Sequence, residues 1–277
     1  LTYTLPRSKK ALILLIVIRK MMEDIQSHKD HRNIDIDQVG VKDIRYPITV
    51  LDKNNGKQLT VANINMYVNL PRQYKGTHMS RFVEVLNEHS KLISLQNFSE
   101  ILQEVKTRLN AESAHMEITF PYFINKMAPV TGSEGLMEYN CCFRGILDKR
   151  LDIVTIINVP ISTLCPCSKE ISDFGAHNQR GIVTLKVRFK KFIWIEDLIR
   201  LVEETASSEV FSVLKREDEK FVTEKAYQNP KFVEDIVRDI ALKLNDDQNI
   251  TWFAVESENF ESIHNHNAYA YIEKHKD

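Results

Sequence analysis

Three separated runs of this chain alternate apolar and polar residues with a period of two, which restricts it to antiparallel sheet with one buried face. Ile64, Met66, Val68 and Leu70 share one side of the first run, and Met116, Ile118 and Phe120 share one side of the second. In the third, Val183, Leu185, Val187 and Phe189 stand opposite Lys186 and Arg188. Sheets of this kind need a helix layer on the apolar side. The chain supplies one. Met79, Phe82, Val83 and Leu86 form a helical stripe, and so do Phe98, Ile101, Leu102, Val105 and Leu109, with Asn97 as cap and Glu100 in the capping-box position.

Strands are expected at residues 45–51 and 59–70, joined by the turn signal KNNG at 53–56, and again at 136–147. The order strand, strand, helix, helix, strand, strand then recurs approximately. Residues 153–159 and 182–189 read as strands and 195–204 as a helix. A second helix from Val233 carries Ile236, Val237, Ile240 and Leu244, and residues 250–255 and 268–272 return to strand. The expectation is an α+β fold of two tandem antiparallel-sheet-plus-helix-pair units, residues 22–150 and 151–277. Residues 1–21 form an N-terminal extension outside the working fold. Its apolar stretch 11–18 is shorter than the roughly 20 residues a membrane span needs. No glycine-rich phosphate loop or GxGxxG fingerprint is present.

With 37 basic and 38 acidic residues the formal charge is −1, so no global field draws the protein to nucleic acid or to an anionic membrane. An anionic ligand has to be met by a local cluster. Four cysteines in 277 residues, as the pairs Cys141/Cys142 and Cys165/Cys167, do not form a disulfide framework and fit a reducing cytoplasm.

Chemistry concentrates in three windows. TLCPCSKEISDFGAHNQR at 163–180 sets His177 twelve positions after Cys165, and thiolate with imidazole suits zinc or, with a carboxylate, other divalent metals. Taken alone, a CxC pair equally fits two small buried hydrophobes. LKREDEK at 214–220 is a mixed charge run that reads as a solvated helix end. ESENFESIHNH at 256–266 places Glu261 and His264 three apart, a spacing that in a helical turn points both toward the same space.

LCPCSK, HNQR, LKREDEK and FESIHNH, with RYPI at 45–48, YKGTHMSRF at 74–82 and DIQSHKDHRNIDIDQVGV at 24–41, together resemble the type IB GTP cyclohydrolases over roughly residues 22–272. Gly181 stands where that family leads one to expect serine. The resemblance implies a tunnelling fold, dimerised into a barrel and associated as a tetramer with active sites at subunit junctions. It maps the ligands of a divalent metal (Zn, Mn or Fe) onto Cys165, His177, Glu219 and His264, with Glu261 in the same pocket and Glu234 anchoring the purine edge. Metal-activated water attack at C8 of GTP would open the imidazole ring and release formate. Proton transfers through His177, His264 or Glu261 would lead to 7,8-dihydroneopterin triphosphate, the entry compound for folate synthesis. Lys169, Arg180, Lys215, Arg216, His78 and Arg81 are candidates for binding the triphosphate. Two rivals remain: a 7-cyano-7-deazaguanine reductase using a cysteine nucleophile and NADPH, and a non-catalytic, metal-stabilised assembly protein.

Overall fold

The computed structural model describes residues 24–89, 93–95 and 97–276. The whole of the expected extension, residues 1–21 with its apolar stretch 11–18, lies outside the described residues. In chain order the elements are β1 (Ile36–Asp52), β2 (Gly56–Leu70), α1 (Met79–His89), α2 (Phe98–Arg108), β3 (Ala114–Met127), β4 (Glu134–Leu147) and β5 (Leu151–Leu164). Then follow α3 (Pro166–Ile171), β6 (Asn178–Phe189), α4 (Ile195–Glu203), β7 (Ser208–Glu209), α5 (Arg216–Gln228), α6 (Val233–Asp246), β8 (Ile250–Asn259) and β9 (Ala268–His275).

The strands form one antiparallel sheet in the order β1-β2-β3-β4-β5-β6-β8-β9, with the short β7 pairing the far end of β5. The sheet continues across the middle of the chain, because β4 and β5 pair from Asn140↔Asn158 to Leu147↔Leu151. Period-two patterning decides which face is covered. Along β3 every second residue from Ala114 to Tyr122 is buried. Helices α1 and α2 cover β1, β3 and β4, while α4 and α6 cover β5, β8 and β9. Phe82, Phe98, Phe120 and Phe253 are fully buried there, each contributing about 1.5–3 kcal/mol relative to an exposed side chain.

The opposite face is open. It carries exposed Leu59, Val61, Leu136, Tyr269 and Tyr271, and a small cluster of Cys142, Val154, Ile156, Trp252 and Ala254.

Two local expectations change. Met79 and Val83 are exposed, and Val85 joins Phe82 and Leu86 in the core, because the buried side of α1 is one residue position round from the expected stripe. Asn97 precedes α2 but makes no side-chain cap; its Oδ1 accepts from Ser94 N at 2.8 Å instead. The β1–β2 turn is as expected. Gly56 ends it with φ +78°, a conformation that costs glycine little.

Candidate active site

The ends of β5, β6 and β8 and the start of α6 meet at one edge of the helix-covered face. Leu164 and Asn178 are the last registered pair of the β5–β6 hairpin, so Cys165 and His177 face each other where the strands part. A hydrogen bond from Cys165 N to His177 O (3.1 Å) extends the ladder by one step. Ser168 Oγ braces the junction, accepting from His177 N (3.2 Å) and donating to Cys165 O (3.1 Å). Cys165 also caps α3, its Sγ accepting from Ser168 N at 3.5 Å, with Pro166 in the first helical turn, where a missing N–H costs nothing.

Two further hydrogen bonds bring in the remaining segments. Lys231 N donates to Leu164 O (3.1 Å), fixing the start of α6 beside Cys165, and Phe260 N donates to Arg180 O (2.9 Å), directing the β8–β9 loop to the same edge. The result is a cleft of about 350 Å³. Cys165, Cys167, His177, Glu234, Glu261, His264 and His266 line it, together with Gln179, Asn259, Lys231 and Phe232. Glu234 lies in the first turn of α6, where the helix dipole favours a negative charge.

His177 Nδ1 lies 3.1 Å from Ser262 Oγ, which occupies one ring nitrogen and leaves Nε2 as the other. The rings of His264 and His266 stack with centroids 5.1 Å apart. Residues 260–267 form an irregular loop between β8 and β9 rather than a helical turn. Glu261 and His264 therefore share the cleft through the course of that loop, not through an i, i+3 spacing.

The remaining sequence candidates lie elsewhere. Lys215, Arg216 and Glu219 line an open hollow at the N-terminal end of α5. Glu219 is roughly 13 Å along the axis from the C-terminal end of that helix at Gln228, the end that approaches α3 through Lys169. Lys169 Nζ donates to Tyr227 O (2.6 Å) and sits 4.5 Å from the centre of the Tyr227 ring. Arg180 is exposed on β6. His78 and Arg81 line a third hollow, where His78 Nε2 is 3.1 Å from Asp24 Oδ2 and an Arg81 guanidinium nitrogen donates to Arg108 O (2.8 Å). Among the described residues no three His, Cys, Asp or Glu side chains converge closely enough to enclose an ion.

Three residues that the sequence did not single out matter here. Asp218, inside the charge run, is fully buried. Burial pushes its carboxyl up, but hydrogen bonds from Thr131 Oγ1, Thr131 N, Lys215 N and Val130 N outweigh that and hold it well below the usual carboxylate range. It clamps the N-terminus of α5, and so the neighbouring Glu219, to the β3–β4 loop. Gln179 and Asn259 are buried in the cleft wall, and Gln179 Oε1 and Asn259 Oδ1 have no hydrogen-bond partner among the protein atoms. Such stranded oxygens are costly, on the order of 1–3 kcal/mol each. Gly181, opposite Asn259, makes room for this arrangement: a Cβ there would fall 2.5 Å from Asn259 Oδ1 and 2.8 Å from Glu258 O. A serine at 181 therefore requires both the Asn259 amide and the backbone at Glu258 to shift.

The chain matches the family model described as Type I GTP cyclohydrolase folE2 over residues 22–270. It belongs to that family. One relative named GTP cyclohydrolase FolE2, from Syntrophobacter fumaroxidans, is 67% identical over 257 residues, 92% of this chain and 100% of its own length. Another of that name, from Syntrophus aciditrophicus, is 62% identical over 254 residues, 91% of this chain and 100% of its own. Among solved structures, a uricase from Bacillus fastidious aligns with TM-score 0.53 at 8% identity, covering 89% of this chain and 94% of that one. A highly active mutant of Bacillus sp. TB-90 urate oxidase aligns with TM-score 0.51 at 9% identity, covering 87% and 100%. At such identity the likeness concerns the fold alone, and this FolE2-family chain has the α+β tunnelling fold. Among its described residues no helix is long and apolar enough to cross a membrane.

Proposed function

We propose that the cleft at the ends of β5, β6 and β8 is where this chain, as a GTP cyclohydrolase, opens the guanine imidazole ring of GTP toward 7,8-dihydroneopterin triphosphate and formate. One observation carries the assignment of the site: Cys165, His177, Glu234, Glu261 and His264, from three distant stretches of sequence, line a single cleft.

Each side chain has a task suited to its chemistry. The Glu234 carboxylate accepts from N1–H and the exocyclic amine of guanine, which lie side by side on the base, and so orients C8 away from α6. Cys165, His177 and His264 offer one sulfur and two imidazoles, a donor set that fits zinc, manganese or iron. A divalent ion held there, once these three side chains close around it, would supply a water acidic enough to be deprotonated near neutral pH. The Glu261 carboxylate takes and returns protons during ring opening, ribose opening and pterin closure, sharing that work with whichever imidazole is not committed to the ion. The hydrogen bond between His177 and Ser262 orients the His177 ring for either task.

Glu219 is assigned to the same ion but lies in a separate hollow of its own chain, and we place it in the site of a neighbouring subunit. The open face and the two terminal strands β1 and β9 provide the surfaces through which copies would associate, in the manner of a tetramer with sites at subunit junctions. Lys169 and Arg180 from one copy, and Lys215, Arg216, His78 and Arg81 from others, are then the cations for the triphosphate.

The test is formate release from GTP by the purified protein, with zinc, manganese or iron supplied singly. Turnover that chelation removes and metal restores is expected; no formate with any of the three rejects the reading. A subunit-mixing experiment addresses the shared site. Glu219→Ala and Cys165→Ala, each inactive alone, should regain part of the activity when unfolded and refolded together, and no recovery would place both residues in one chain's site.

A further inference from the structure

We infer that Gln179 and Asn259 are the specificity element of the cleft, reading the oxygen at position 6 of the guanine base. The inference rests on the cyclohydrolase reading and deepens it.

Both carboxamides line the cleft that contains Glu234, and both are more than nine-tenths buried, with 8% and 2% of their surface exposed. They sit on neighbouring strands. Asn259 pairs with Gly181, and Gln179 is two positions along β6 on the same face, so the amides are diagonal neighbours about 7–8 Å apart at Cα. The missing side chain at Gly181 gives the Asn259 amide its room: a Cβ there would lie 2.5 Å from Asn259 Oδ1. In each the oxygen is turned into the protein without a partner, so the group left to offer the cleft is the N–H2. The stranded oxygens are out of a ligand's reach, but neither N–H2 donates a hydrogen bond among the described residues, so two unpaired donors stand at one edge of the cleft, where buried polar groups are nearly always paired.

The chemistry of that ligand follows from the neighbours. With Glu234 accepting from N1–H and the amine, the next group along the guanine edge is O6, an acceptor that needs a donor. The amide N–H2 groups provide it. Adenine presents an amine there and an acceptor at N1, which leaves Glu234 and the amides facing groups of their own kind.

The test compares GTP with 6-thioguanosine triphosphate, which keeps N1–H and the amine but replaces O6 by the weaker acceptor sulfur. Binding is measured by calorimetry on the full chain without added metal, alongside formate release. Gln179→Met and Asn259→Leu preserve shape, and melting curves establish that each is folded. The wild type should bind GTP about tenfold more tightly than the thio analogue, and each variant should weaken GTP about tenfold while leaving the analogue nearly unchanged. Equal weakening of both nucleotides, or of neither, overturns the assignment. If one variant fails to fold, the other decides. A wild type that binds GTP and releases formate, with indifferent variants, sinks only this inference; a wild type that does neither sinks the cyclohydrolase reading with it.

Discussion

The β1–β2 and β5–β6 hairpins open the two halves of the sheet, and they close in opposite ways. The first ends in a tight turn at residues 53–55, organised by Asp52, whose carboxylate accepts from Asn54 N (2.9 Å), Asn55 N (2.7 Å) and Gln58 Nε2 (3.2 Å). The second runs through residues 165–177, with Cys165 in the place of Asp52 and a short helix where the turn would be. In both, the side chain just at the strand end accepts a backbone amide two or three residues on. Asp52 spends its capacity on closing the turn. Cys165 makes one long bond to an amide and keeps its sulfur at the cleft. A strand end that needs little from its capping residue can lend that residue to chemistry.

If this contrast holds, damage at the two hairpins should separate cleanly into activity and stability. The largest effect is expected from Cys165→Ala or His177→Ala, which should lower formate release at least roughly a hundredfold with the melting temperature and oligomer size little changed; near-native turnover would remove either residue from its role. Next is Glu234→Gln, which would lose the proposed charged acceptor for two guanine N–H groups and should lower kcat/KM for GTP about 10–100-fold in steady-state assays. Ser168→Ala removes the bridge between Cys165 and His177 without touching the cleft lining, and an activity loss on the order of tenfold is expected from that loosening. The smallest effect on turnover belongs to Asp52→Ala, which should cost about 1–2 kcal/mol in denaturant unfolding and leave kcat unchanged.

Acid sharpens the same distinction. Burial pushes the Asp52 carboxyl up, yet the Asn55, Asn54 and Gln58 hydrogen bonds outweigh it and set the folded value below the ordinary one. A depressed folded value means the unfolded chain binds the proton first as pH falls. The stability difference between wild type and Asp52→Asn should thus be full at neutral pH and shrink as pH drops below the ordinary carboxylate range. A difference that is unchanged by acid would show that shape, not charge, holds the turn.

Much of this was legible in the sequence, for identifiable reasons. Alternation along β3 and the stripe Ile236, Val237, Ile240, Leu244 on α6 are local patterns that tertiary packing merely uses. The motif windows around Cys165 and His264 were visible as dense polar runs. What stayed hidden depends on partners far away in the chain. Asp218 looks like one more charge among Arg216, Glu217 and Glu219 until the β3–β4 loop folds over it. Gln179 and Asn259 fall inside the motif windows, but nothing there marks them off from their neighbours, because their burial exists only once β6 and β8 pair. The spacing of Glu261 and His264 suggested a helix that the loop 260–267 does not form, since i, i+3 is equally a spacing of irregular chain.

Apart from the brief β7, every strand lies beside the one before it in the chain. A meander of that kind can grow in the direction of synthesis, each strand docking on a finished neighbour, with short loops at its hairpins and longer helical connections between β2 and β3 and between β6 and β8. The edge with the proposed site is the last to form, since its wall is incomplete until β8 arrives after α4, α5 and α6. A nascent protein would therefore possess most of its framework before Cys165 is enclosed, which happens only in the closing stage of assembly.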